Sequence, residues 1–198
     1  MQIVIATDNK HKINEFERIL KPFGIEIITK SQANANIDIE EGTNSFEENA
    51  YLKANVIYKL TKLATISDDS GICVDALDGK PGIFSARYGG DECKSDAERT
   101  NKLLSDMKNQ NNRDANFHCD ICLITQRGKV FHFTGDCYGK IGYKVCGANG
   151  FGYDPIFMIG EKSFSQLTNE QKDEISHRGI ALRKLQENFD AIMKEENL

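Results

Sequence analysis

The sequence predicts an α/β fold, a single domain built around a mixed β-sheet, and three observations predict it. Short β-branched runs alternate with segments whose apolar residues recur at helical spacing. The chain has 198 residues, 39% of them apolar, which suffices for a sizeable core in one domain. Neither an internal repeat nor a flexible linker divides it.

Each element follows in order. Residues 2–7 form a β-branched run suited to a buried strand, and the polar stretch after it leads into a helix carrying Ile13, Phe16, Ile19 and Leu20. Pro22 and Gly24 end that helix, and residues 25–29 resume as a strand. Ser45 and Glu48 predict a capping box opening a second helix, whose buried stripe is Phe46, Ala50, Ala54, Ile57 and Leu60. Residues 64–67 read as a strand, and residues 70–91, rich in glycine with Pro81, as a loop. Ser95 and Glu98 cap a third helix with Leu103, Leu104 and Met107. After a polar connector over 109–114, two strands over 117–125 and 129–134 flank a hairpin turn at residues 126–128. A final helix from about Arg178 shows Leu182, Leu185, Phe189 and Ile192 on one face.

Composition narrows the function. Lys and Arg number 25 against 30 Asp and Glu, so the net charge of −5 argues against a nucleic-acid surface and leaves any phosphate site local. Apolar runs are far shorter than the roughly 20 residues of a membrane span, and the polar residues from Asp8 to Lys12 interrupt the first one before a signal peptide could form. A cytosolic protein without membrane or nucleic-acid partners is expected. Six cysteines then read as reduced thiols. Cys119-Asp-Ile-Cys122 has the gap of a metal or redox pair, but it falls in a strand where cysteine serves as a small hydrophobe.

Five constellations carry chemistry. Thr7-Asp-Asn-Lys-His-Lys12 stands where a strand meets a helix N-terminus, a place for phosphate with Lys12 adding charge; alternatively Asp8 or Asn9 caps the helix and the lysines are solvated. Residues 40–53 set Glu40 and Glu41 before a helix on which Asn49 and Lys53 share a face, an arrangement a solvated helix would also show. Ile66-Ser-Asp-Asp-Ser-Gly71 places adjacent carboxylates at a strand end. Only one of them faces a given side unless the chain has turned, and Asp69, nearer the loop, is favoured for a hard cation; an Asx turn is the alternative. Gly147-Ala-Asn-Gly-Phe-Gly-Tyr-Asp-Pro155 offers aromatic faces for a base, or pins a turn to the core. Lys172 and Ser176-His-Arg-Gly179 supply donors, and Arg178 can also stack on a planar ring. Together they are the parts of a nucleoside triphosphate site.

The same residues form a known pattern: Thr7-x-Asn9-x-x-Lys12-x-x-Glu15, Glu41 with Ser45-Phe46-x-Glu48-Asn49-Ala50-x-x-Lys53-Ala54, Asp68-Asp69-Ser70-Gly71, Pro81-Gly82-x-x-Ser85-Ala86-Arg87-Tyr88, Gly150-Phe-Gly-Tyr-Asp-Pro-x-Phe157 and Ser176-His-Arg-Gly179. In this order and nearly end to end, the chain resembles the noncanonical purine nucleoside triphosphate pyrophosphatases, the inosine/xanthosine triphosphatase family. The resemblance implies Mg²⁺-dependent hydrolysis of ITP, dITP and XTP to the monophosphate and pyrophosphate. It also implies a homodimer, each chain with two lobes around an elongated mixed sheet flanked by helices. Carried over, Thr7, Asp8, Asn9, Lys10, His11, Lys12 and Lys53 hold the triphosphate, Glu41 and Asp69 engage the metal, and Asp69 is the base, with Lys53 beside it in catalysis. Ser70, Phe151, Gly152, Tyr153, Asp154, Lys172, His177 and Arg178 match substrate-binding positions, the aromatic loop and the His-Arg pair nearest the purine. Asp8 departs from the neutral or basic residue of the pattern, its side chain being expected to turn away and cap the helix, and Ser67 replaces alanine with little expected effect. The alternatives are a Maf-like nucleotide pyrophosphatase of other specificity and a nucleotide-binding protein without activity.

Overall fold

The computed structural model of the protein describes residues 1–195. Its strands are β1 (Gln2–Ile5), β2 (Glu26–Thr29), β3 (Thr65–Val74), β4 (Asp114–Ile124), β5 (Val130–Ile141), β6 (Phe157–Ile159) and β7 (Lys162–Ser163). Its helices are α1 (Lys10–Leu20), α2 (Phe46–Thr61), α3 (Asp96–Asp106), α4 (Asn169–Ile175) and α5 (His177–Glu195). The strands form one mixed sheet in the order β2-β1-β3-β4-β5-β6-β7, flanked by helices. β1 runs parallel to β2 and β3, while β6 is antiparallel to both β5 and β7. The chain groups into two compact units, one of residues 1–69, 119–135 and 178 onward, the other of residues 70–118 and 136–177.

Strand alternation organises the first unit. Ile3, Ile5, Ile66, Cys119, Ile121 and Leu123 point to one face and pack with Phe16 and Leu20 of α1 and Leu182 and Leu185 of α5. Val4 and Ala6 on the other face meet Ile57 of α2, and Cys122 and Ile124 meet Ala50 and Ala54. Full burial of each such leucine or isoleucine contributes roughly 1.5–3 kcal/mol. Parity also separates Cys119 from Cys122, three residues apart in a strand and hence on opposite faces, so they do not form a pair. All six cysteines are free thiols, and burial pushes Cys122 up to about 12 and Cys137 up to about 11.

The second unit is built around Ile72 and Val74 of β3, Leu103 of α3, and Phe117, Phe157 and Phe164. The Phe117 and Phe157 rings meet edge to face with centroids 4.7 Å apart, a geometry that favours the aromatic quadrupoles.

Several expectations are corrected. β3 does not stop at Ser67 but runs to Val74, and three short 3-10 turns with irregular links follow where a single loop was expected. β5 runs to Ile141 rather than residue 134, and β6, β7 and α4 had no reading in the sequence. Leu60 is 58% exposed, outside the α2 stripe, because its position has rotated past the sheet. Ser45 caps α2 by accepting from the Glu48 amide, but Glu48 accepts from Asn44 Nδ2 at 2.6 Å, so only half of that capping box forms. The Ser95/Glu98 box on α3 is complete.

Candidate functional site

The continuation of β3 decides the geometry. Asp68 and Asp69 are successive residues of a strand and point to opposite faces, Asp68 with Ile66 toward α1 and α5, Asp69 with Ser67 toward α2. Ser67 is not idle, since its hydroxyl donates to the Ala50 carbonyl at 2.5 Å and ties β3 to α2.

On the α2 face, Asn49 and Lys53, one helical turn apart, each take one oxygen of Asp69. Lys53 Nζ lies 2.9 Å from Asp69 Oδ1, and Asn49 Nδ2 donates to Asp69 Oδ2 at 3.0 Å. Lys53 Nζ also reaches Glu41 Oε1 at 2.7 Å, so one ammonium is held between two carboxylates. Burial raises the proton affinity of Asp69, the Glu41 charge adds to it, and Lys53 opposes both. Burial works on Glu41 in the same direction, but there Lys53 prevails and the carboxyl falls below its ordinary value. Burial would strip the Lys53 proton, yet Asp69, Asp68 and Glu41 together bind it more tightly than usual. Two carboxylates pushed apart in proton affinity around one cation is the pattern of an acid–base or metal site.

The donor set fits a hard divalent cation in one specific way. Among the described residues no group of three or more His, Cys, Asp and Glu side chains is disposed to hold a metal. Glu41 and Asp69 instead match the habit of Mg²⁺, which takes one or two protein carboxylates and completes its shell with water and phosphate oxygens.

On the other face, Arg178 is a hub. Only 1% exposed, it donates through Nη2 to Asp68 Oδ2 at 2.7 Å and through Nη1 to Glu15 at 2.5 Å, and Lys12 Nζ lies 3.0 Å from the same Asp68 oxygen. Burial opposes the charge on Asp68, but Arg178, Lys12 and Lys53 outweigh it and hold the carboxyl far below the usual range.

At the start of α1 the cap is Asn9, whose Oδ1 accepts from the His11 and Lys12 amides at 3.0 and 3.3 Å. Those two N–H groups are taken by the Asn9 side chain, the capping alternative that the sequence offers at this junction. Thr7 Oγ1 accepts from the Asn9 amide at 3.3 Å, and Lys10 and His11 are exposed. Asp8 turns away as expected but does not cap the helix; it pairs with Lys30 at 2.6 Å.

In the second unit, Asp154 Oδ2 accepts from the Phe151 amide at 3.0 Å and from Lys172 Nζ at 2.6 Å, closing the aromatic loop into a turn. Gly150, at φ +78°, stands where a Cβ would lie 2.2 Å from that Asp154 oxygen. The Lys172 ammonium sits 4.7 Å from the Phe151 ring centroid. Tyr153 is buried and donates to the Ser85 carbonyl at 2.8 Å, while the Gly152 amide donates to Asp96 Oδ2 at 2.9 Å. His177 stacks on Phe117 with centroids 4.6 Å apart. His177 and Arg178, adjacent in sequence, thus serve different surroundings. Ser70 is half-buried on β3. A cavity of about 970 Å³ in this unit, bordered by Arg113, Tyr138, Tyr143 and Met158, contains none of the residues expected in the site.

The sequence reading singled out Asn49 on the Lys53 face and set Asp68 aside for Asp69, but it gave neither of them, nor Glu15, its partner. Each stood in a quoted motif, and strand parity and the four-residue step from Asn49 to Lys53 were the signals available.

Comparison with known proteins bears on the family and the fold. The Ham1 family model matches residues 3–188. The chain is 42% identical to the dITP/XTP pyrophosphatase of Clostridium perfringens (strain 13 / Type A) over 98% of this chain and 99% of that one. It is 40% identical to the dITP/XTP pyrophosphatase of Listeria monocytogenes serotype 4b (strain F2365), covering 98% and 97%. Among solved structures, the Staphylococcus aureus Ham1 protein superposes with a TM-score of 0.85 at 41% identity, over 96% of this chain and 99% of that one. A HAM1 protein from Coxiella burnetii gives 0.87 at 36% identity, with the same coverage.

Proposed function

The chain belongs to the Ham1 family, and on that premise we propose that it hydrolyses dITP, XTP and ITP to the nucleoside monophosphate and pyrophosphate, in a Mg²⁺-dependent reaction that clears such nucleotides from the pool. The observation that carries the reading is the ammonium of Lys53 held between the carboxylates of Glu41 and Asp69.

Glu41 and Asp69 would hold Mg²⁺, which supplies charge neutralisation to the phosphate oxygens. Asp69, its proton affinity raised by burial, orients a water and accepts its proton as the oxygen attacks the α-phosphorus. The bond from that phosphorus to the α,β-bridging oxygen breaks, and pyrophosphate leaves with the electron pair. Lys53 fixes Asp69, while the segment Thr7, Asp8, Asn9, Lys10, His11 and Lys12 would border the triphosphate, with Lys10 and Lys12 as its cations and the Asp8 carboxylate drawn aside by Lys30. The resemblance assigns Ser70, Phe151, Gly152, Tyr153, Asp154, Lys172 and His177 to substrate binding, with Phe151 as a stacking face, whereas Arg178, assigned with them, is committed to Asp68 and Glu15. Donors matched to a purine 6-oxo group are left unpaired by a 6-amino group, which disfavours ATP. The resemblance further implies a homodimer, and six free thiols suit a reducing cytoplasm.

Asp69→Asn tests the assignment because it keeps size and removes charge. Turnover of ITP should fall by at least about a hundredfold, a loss typical of removing acid–base catalysis, with the melting temperature unchanged. Near-wild-type turnover would remove Asp69 from the chemistry.

A further inference from the structure

Asn49 is 1% exposed and uses both ends of its amide, one on Asp69 and the other on the backbone beside Glu41. Its Nδ2 donates to Asp69 Oδ2, and its Oδ1 accepts from the Gly42 amide at 2.8 Å, the residue next to Glu41. Lys53 already takes the other Asp69 oxygen and one oxygen of Glu41, so Asn49 and Lys53 bracket both carboxylates from one helix face. Lys53 can swing on four methylenes, whereas the short Asn49 side chain has few rotamers and two fixed partners.

We propose that Asn49 is a positioning residue: it fixes the rotamer of Asp69 and tethers the loop that carries Glu41, so that the two carboxylates face the reacting phosphate at a set separation. The inference rests on the pyrophosphatase reading of the same site. A buried amide whose donor end holds Asp69 and whose acceptor end holds the Gly42 backbone serves geometry rather than substrate binding.

The test is a double-mutant cycle with a second, activity-independent readout. Asn49→Leu is near-isosteric and helix-compatible, and Asn49→Ala avoids any clash. Either should lower kcat for ITP by on the order of tenfold to a hundredfold while KM moves less than about threefold, as for a misplaced reacting group. In an Asp69→Asn background the same substitution should cost little more, since it acts through Asp69. Amide exchange at Gly42 should accelerate in both variants, with the rest of α2 as protected as before. Wild-type kcat, or losses that add fully to those of Asp69→Asn, would overturn the proposal, as would unchanged Gly42 exchange. If Asp69→Asn alone retains full activity, the reading of the site fails first, and the proposal with it.

Discussion

Arg178 is the residue whose sequence neighbourhood and surroundings differ most. Adjacent to His177, it reads as half of a donor pair for a purine, yet its guanidinium neutralises Asp68 and Glu15 in the interior. Removing one partner of a buried ion pair leaves the other charge uncompensated and costs about 3–5 kcal/mol. For a chain of this length Arg178→Ala should lower the melting temperature by roughly 6–20 °C, taking ~2–4 °C per kcal/mol. A shift under about 2 °C in a thermal melt would show that Asp68 and Glu15 do not depend on it. Base selectivity is therefore better probed at Asp154 or Lys172, which meet each other and the Phe151 loop. Individual residue types were readable because phosphate, metal and base chemistry each require particular side chains. Partners were not: Asp8 meets Lys30, and Arg178 meets Glu15, across stretches of chain that no local spacing encodes.

At the scale of elements, β3 explains both what the sequence shows and what it hides. Asp-Asp-Ser-Gly has turn composition, and local propensity favours ending the strand there. Packing overrides it. A Cβ on Gly71 would lie 2.2 Å from the Gly82 carbonyl oxygen, so glycine is present for a close backbone approach within a continuing strand. The first and third helices were legible from their apolar period and caps, whereas β6 and β7, at three and two residues, are too short to carry a period. The β4 and β5 pair offers a test of its own. His132 Nδ1 lies 2.8 Å from buried Asp120, and that hydrogen bond, against the opposing effect of burial and with added pull from the Asp120 and Glu47 charges, raises the proton affinity of His132. A raised value means the contact stabilises fully below the ordinary imidazole pKa of 6.5 and fades as pH rises through the folded value. His132→Gln should accordingly lower the melting temperature more at pH 6 than at pH 9. Equal losses at both pH values would mean the pair is not charged.

Across the whole molecule, one mixed sheet places its site residues by strand parity and by helix face rather than by proximity in sequence. The α2 face of β3 receives Asp69, Asn49, Lys53 and Glu41, and the α1/α5 face receives Asp68, Lys12, Glu15 and Arg178. An α/β class and a nucleotide site were legible from the alternation of strands and helices and from the ordered motifs. The two lobes are implied by the resemblance alone and not by composition, because β3, β4 and β5 each contribute residues to both units without any change of composition. The most direct test of the central claim is product analysis with purified protein given ITP, XTP, ATP, GTP and dUTP, each with and without Mg²⁺. Pyrophosphate and monophosphate should appear from ITP and XTP only with Mg²⁺, at a kcat/KM on the order of a hundredfold above ATP, as expected when a matched hydrogen-bond acceptor is lost. Orthophosphate as the product, turnover independent of Mg²⁺, or a preference for ATP or dUTP would contradict it.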